Sequence, residues 1–230
     1  TCRDPSFDAI RRPGIARRAN GAAGNETLRD LGEDLAGIHE HAPLPPFTSK
    51  PISARLAEHI GERLEATSAN GTTGKVAIYV TCYGDHNEPK VVEDLIAVLN
   101  HNDVPVRILK DARCCGMPKL ELGDLDKVAA LKEANLPIFL EAIAQGYDII
   151  APIPSCVLMY KQELPLMFPD DDEVRRVKAA FFDPFEYLMA RHKAGLIDTR
   201  FDHPLGKVAY HVACHQRVQA IGARTTEFLN

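Results

Sequence analysis

The chain has 230 residues, 45% of them apolar and 26% charged, with a formal charge of −5 and a mean hydropathy of −0.17. That composition suits a globular protein, and the negative balance supplies no basic field for a nucleic-acid partner. The longest apolar runs fall far short of the roughly 18 residues that a membrane span needs, so any membrane contact is expected through a partner. No charged-then-apolar secretory stretch opens the sequence, so its six cysteines are expected as reduced thiols in a cytoplasmic protein. Metal binding, redox chemistry and core packing are then their open uses. The adjacent pair Cys114-Cys115 suits a disulfide poorly, because neighbouring side chains project apart.

Residues 1–73 read as an arm or linker. Five arginines fall in the first twenty residues, as in a basic linker of a longer protein. Short capped helices are predicted over Asn25–Ile38 and Ser53–Glu65. Between them Pro43, Pro45, Pro46 and Pro51 keep Ala42–Pro51 irregular.

From Gly74 the pattern sharpens. Lys75–Thr81 is a β-rich apolar run, as in a strand buried on both faces. A helix follows from Asn87 or Glu88, with Pro89 in its first turn and apolar residues at Val91, Val92, Leu95, Ile96 and Leu99. Val104–Leu109 is a second strand and Cys114–Pro118 a turn. Asp124–Gln145 is helical, bent or divided at Pro137, and Tyr147–Ala151 is a third strand. A short helix is expected near Cys156 and a longer one over Asp171–Ala194.

Strands alternating with helices predict an α/β fold, a Rossmann-like parallel sheet with helices on both faces. Right-handed crossovers place every strand's carboxyl end on one edge, where such sheets bind ligands. Cys82, Cys114, Cys115 and Cys156 each follow a strand, so all four are expected to meet there. Gly71-Thr-Thr-Gly74 precedes its strand rather than following it, and no GxGxxG follows any strand, which argues against a nucleotide site.

Gly74-Lys-Val-Ala-Ile-Tyr-Val-Thr-Cys82 recurs as Gly206-Lys-Val-Ala-Tyr-His-Val-Ala-Cys214. The recurrence divides the chain into an arm (1–73), a complete repeat (74–205) and the start of a second (206–230), with a helix over Gln216–Leu229. Cys214 is then a second-repeat ligand candidate that, within this chain, reads as an unpaired thiol.

The pattern Cys82-x31-Cys114-Cys115-Gly116-x39-Cys156-x2-Met159 resembles the Cys-Cys-Gly (CCG) cysteine-rich domain of the heterodisulfide reductase B subunit and its relatives. Cys114-Cys-Gly-Met-Pro118, Pro154-Ser-Cys-Val-Leu-Met-Tyr-Lys-Gln-Glu163, Asp183-Pro-Phe-Glu-Tyr-Leu188 and His211-Val-Ala-Cys-His215 are most similar to the C subunits of anaerobic glycerol-3-phosphate dehydrogenases. The iron–sulfur subunits of glycolate and lactate oxidases share the resemblance. It implies two tandem repeats and an iron–sulfur cluster on Cys82, Cys114, Cys115 and Cys156. It also implies an electron-transfer component working between a flavoprotein dehydrogenase or other redox partner and a quinone or disulfide acceptor, at the inner face of a membrane.

One position departs from the family. The heterodisulfide reductase B subunit has a fifth thiolate where this chain has Met159, a weaker thioether donor expected to pack beside the group. Four thiolates match an Fe4S4 complement, and no catalytic residue is assigned. Gly116 permits a tight turn with N–H groups near sulfur. A helix beginning at Cys156 would place its dipole toward the thiolate. Three plainer uses of the cysteines stay open: a structural zinc site, a metal-free docking role, and thiol–disulfide chemistry at Cys114-Cys115. His86 is expected in a solvated loop, His211 and His215 at a polar rim, Asp170–Glu173 as a solvated helix start, and Lys161–Glu163 on an exposed helix face.

Overall fold

A computed structural model describes residues 13–56, 59–60, 65–200, 203 and 206–229; Cys2 lies outside the described residues. Four strands form a parallel sheet: β2 (Val76–Ile78), β3 (Val106–Ile108), β4 (Asp148–Ile150) and β5 (Phe181–Phe182), in the order β3-β2-β4-β5. β2 lies between β3 and β4, with Ala77 opposite Arg107 on one side and Ile149 on the other. A fifth strand, β1 (His59–Ile60), joins the β3 edge antiparallel.

The β-rich run works as the sequence implies. Val76, Ile78 and Val80 enter the core on one face, with Val92, Leu95, Ile96 and Leu99 of the helix Pro89–His101. Ala77 and Tyr79 enter the opposite core, with Val128, Leu136 and Phe139 of the helix Leu125–Ala144. Alternation in a strand buried on both sides feeds two cores. Each fully buried Val or Ile contributes about 1.5–3 kcal/mol.

Three expectations need correcting. The helix Leu125–Ala144 is not divided at Pro137 but runs through it; buried residues on both sides of the proline, from Val128 to Ala142, hold the two halves on one apolar face. Among the described residues, the helix expected over Ser53–Glu65 is limited to Ile52–Arg55 and gives way to β1, because sheet-edge pairing overrides local helix propensity. Residues 57–58 and 61–64 of that expectation lie outside the described residues.

The long helix expected over Asp171–Ala194 is two helices, Asp172–Ala180 and Pro184–His192, separated by β5. Asp183 caps the second in a box with Glu186, with Pro184 at the first helical position. That capping signal, after the β-prone pair Phe181-Phe182, marks a strand that helical periodicity conceals.

Ahead of residue 74 the chain already contributes to the core, since Ile52 is fully buried with Val76 and Ile78. The helix Glu26–Ala36 forms as expected, capped by Asn25 and closed by Gly37 at φ 65°. Residues 206–213 pair with no strand among the described residues. A single strand without sheet neighbours has no ladder to join. The segment leads into the helices Cys214–Val218 and Gly222–Leu229, two in place of the one expected.

Candidate metal centre

The sheet order reverses direction about β2, so the loop after β2 and the loop after β4 leave toward opposite faces and open a crevice at the carboxyl edge. The cysteines fall there. Cys82 opens the short helix Cys82–His86. The residue before it, Thr81, has φ 67° and ψ 160°, a conformation that a β-branched residue adopts only under strain. Such strain costs roughly 1–3 kcal/mol and persists where surrounding contacts enforce it. Here the Thr81 side chain accepts from the Gly84 N–H at 3.1 Å, and a Cβ on Gly84 would lie 2.9 Å from Val92.

The arm straps this helix from outside. The Ser53 N–H and hydroxyl donate to the carboxylate of buried Asp85 at 2.8 and 2.9 Å. The Thr48 N–H donates to the His86 carbonyl at 2.6 Å, and Asn87 Nδ2 to the Pro46 carbonyl at 3.1 Å. His86 is therefore not in a solvated loop; it is buried, with Nε2 3.5 Å from Asp85.

Cys114 and Cys115 follow β3 on a loop gripped from the helix Leu125–Ala144 by Asn135, which is fully buried. Asn135 Oδ1 accepts from the Arg113 N–H at 2.6 Å, and Nδ2 donates to the Cys114 carbonyl at 3.1 Å and the Tyr160 hydroxyl at 2.7 Å. The Tyr79 hydroxyl donates to the Arg113 carbonyl at 2.5 Å. Gly116 then turns the chain at φ 93°, and the Met117 N–H approaches Cys115 Sγ at 3.5 Å. Cys156 is the third residue of the helix Pro154–Leu158, which begins two residues earlier than expected.

All four sulfurs come together, linked in a chain of contacts. Cys82 Sγ lies 4.0 Å from Cys114 Sγ, and Cys114 and Cys156 are the neighbouring thiols that raise the pKa of Cys115. Cys115 and Cys156 are buried, whereas Cys82 and Cys114 are half-buried and face the rim. Hydrogen bonding to Cys114, reinforced by burial, raises the Cys82 thiol above its ordinary pKa. Hydrogen bonds to Cys114 and Cys156, with burial, do the same for Cys115. Without metal these thiols hold their protons, and metal loading must release them.

Met159 is fully buried, with its Cε 3.5 Å from where a Gly116 Cβ would stand. It packs beside the cysteine pair. Cys214 is exposed, on a helix packed against Pro154–Leu158, and is outside the group of four. His211 is exposed and His215 half-exposed, 4.0 Å from Glu121. Lys161 is not on a free face, since it pairs with Glu186. Asp171 caps its helix and pairs with buried Lys132 at 2.7 Å.

Sequence reasoning overlooks Asn135, Tyr79, Tyr160 and Thr81. For Asn135 a signal exists: it occupies the apolar phase of its helix, between Leu131 and Phe139, where an amide is a poor helix former. Thr81 gives no such signal, because its strain exists only in the assembled loop.

The donor set, four cysteine sulfurs, fits a soft-metal group. Among the described residues, no three His, Cys, Asp or Glu side chains are arranged to chelate a single ion. Zinc at about 2.3 Å from four sulfurs draws every sulfur pair to roughly 3.8 Å, close to the 4.0 Å between Cys82 Sγ and Cys114 Sγ, so metal and sulfide content, not spacing, separates zinc from a multi-iron core.

Fold and site together define the class: a parallel α/β domain that gathers cysteines at the carboxyl rim of its sheet. Residues 76–161 match the CCG cysteine-rich domain family, a segment containing all four of these cysteines. It is similar to the C subunit of anaerobic glycerol-3-phosphate dehydrogenase from Escherichia coli, with 29% identity over 67% of this chain and 39% of the relative. It is also similar to the B subunit of fumarate reductase (CoM/CoB) from Methanothermobacter marburgensis, with 26% identity over 89% of this chain and 39% of the relative. An uncharacterized iron-sulfur protein of Methanococcus maripaludis is 30% identical over 62% of this chain and 26% of its own length. The chain thus spans less than half of each of these three relatives. No solved structure matches.

Proposed function

We propose that the chain is an electron-transfer component of a larger oxidoreductase, holding an Fe4S4-type cluster on Cys82, Cys114, Cys115 and Cys156. The observation that carries this reading is the convergence of four thiols from three separate loops on one rim. The names of the relatives, subunits of dehydrogenase and reductase complexes and an iron-sulfur protein, point the same way.

Bound there, the cluster would supply one-electron storage. The protein's own contribution is placement and environment. Cys115 and Cys156 anchor the buried side, while half-buried Cys82 and Cys114 bring the group to a surface where a redox partner can dock. The apolar neighbours Met117 and Met159 limit water on the inner side. A flavoprotein dehydrogenase is the proposed donor, with a quinone or other carrier as acceptor. No described helix is long and apolar enough to cross a membrane, so membrane association is proposed through a partner.

The test is an anaerobic redox titration of iron- and sulfide-reconstituted protein. Reversible one-electron bleaching of the visible absorption, with an electron-spin signal in the reduced state, is expected. Absorption that ignores reductant, or thiol oxidation as the sole redox event, would contradict the reading.

A further inference from the structure

We propose that Asn135 is the positioning residue of the Cys114-Cys115 loop, fixing its peptide dipoles so that carbonyl oxygens are held on the protein side of the sulfur group; this rests on the cluster reading above. The argument begins with an accounting of polar groups. A buried loop must find partners for its N–H and C=O groups, and this one finds them in two side chains. Asn135 takes the Arg113 N–H and gives its two amide hydrogens to the Cys114 carbonyl at 3.1 Å and the Tyr160 hydroxyl at 2.7 Å, with the Arg113 carbonyl 3.3 Å from the same nitrogen. Tyr79 gives its hydroxyl hydrogen to the same Arg113 carbonyl.

The carbonyl ahead of the vicinal pair and the one within it are therefore occupied by donors from the helix Leu125–Ala144 and from the end of β2. The N–H beyond the turn behaves oppositely: that of Met117 approaches Cys115 Sγ at 3.5 Å. The Arg113 and Cys114 carbonyls thus face Asn135 and Tyr79, the Arg113 N–H is likewise taken by Asn135, and the Met117 N–H faces sulfur. Phe139, one turn beyond Asn135, lies against both tyrosine rings, at centroid distances of 5.2 Å to Tyr79 and 4.9 Å to Tyr160.

For an anionic cluster this sorting has a definite electrostatic sign. Reduction adds an electron, and its cost falls when N–H dipoles face the group and rises when a carbonyl oxygen turns toward it. Asn135 blocks the second arrangement. Releasing the Cys114 carbonyl should therefore favour the oxidised state and move the midpoint potential negative.

The experiment compares anaerobically reconstituted wild type, Asn135→Ala and Tyr79→Phe for iron content and midpoint potential. Asn135→Ala should retain iron while its reduction equilibrium shifts roughly tenfold toward the oxidised form, about 59 mV for one electron. Tyr79→Phe, which removes one hydroxyl from the same carbonyl and keeps the ring, should shift the same way by less. A merely structural role would lower the melting temperature of either variant and leave the potential in place. Iron-loaded variants at the wild-type potential would overturn the inference. If Asn135→Ala does not fold or load, Tyr79→Phe decides alone. If the wild type binds no iron, the cluster reading fails first, and that result is read from iron content rather than potential.

Discussion

Replacing Cys156 with alanine is expected to leave a folded protein without its metal. The side chain is buried at the start of a helix that packs into the larger core, and removing one sulfur atom costs only about 1 kcal/mol in packing. The thiol is also one of the two neighbours that raise the pKa of Cys115. Its loss leaves three sulfurs on the rim and nothing on the β4 side of the crevice. Iron affinity should fall by at least the roughly 10–100-fold seen when supporting residues alone are removed from metal sites. Cys214→Ala is the matched control, because Cys214 is exposed and outside the group; it should retain full iron. Equal iron loss in both variants, measured after identical anaerobic reconstitution, would show that Cys156 has no special part.

The largest effect on stability is expected at Phe139. Its ring is fully buried and packs within 6 Å of Tyr79, Tyr160 and Phe181. Phe139→Ala removes one ring from a four-ring cluster, at about 3–5 kcal/mol. A domain of this size loses roughly 2–4 °C of melting temperature per kcal/mol, so a fall of about 10 °C is expected in the metal-free protein. The same deletion frees the tyrosines whose hydroxyls hold Arg113 and Asn135. Phe139→Leu should recover most of the stability. Alanine and leucine variants melting together with the wild type would contradict the packing account.

The fold was legible where periodicity was strong. The run Lys75–Thr81 had to be a strand covered on both faces, since every residue from Val76 to Val80 is apolar, and both cores are observed. It failed where two short signals competed. Phe181-Phe182 adds only two residues to the sheet, too few to interrupt a helical pattern on either side, and only the cap at Asp183 betrays it. β1 failed for a different reason, because its partners Arg107 and Val106 in β3 lie 48 and 46 residues from His59 and Ile60 and leave no local mark.

The site divides in the same way. Four cysteines after three strands could be placed together from topology alone, because parallel strands share one carboxyl edge. Their supports could not. The strap from Thr48 and Ser53 onto His86 and Asp85, and the strain at Thr81, are products of tertiary packing. His86 illustrates the point: it follows Cys82 by four residues and reads as a loop histidine, yet the strap and helix bury it.

The central claim is that thiols from distant parts of the chain share one inorganic core, and metal and sulfide analysis of anaerobically prepared protein tests it most directly. About four iron and four sulfide per chain are predicted, as for a cluster on four thiolates. One zinc per chain with no sulfide, or four freely titrating thiols in metal-free protein, would contradict it.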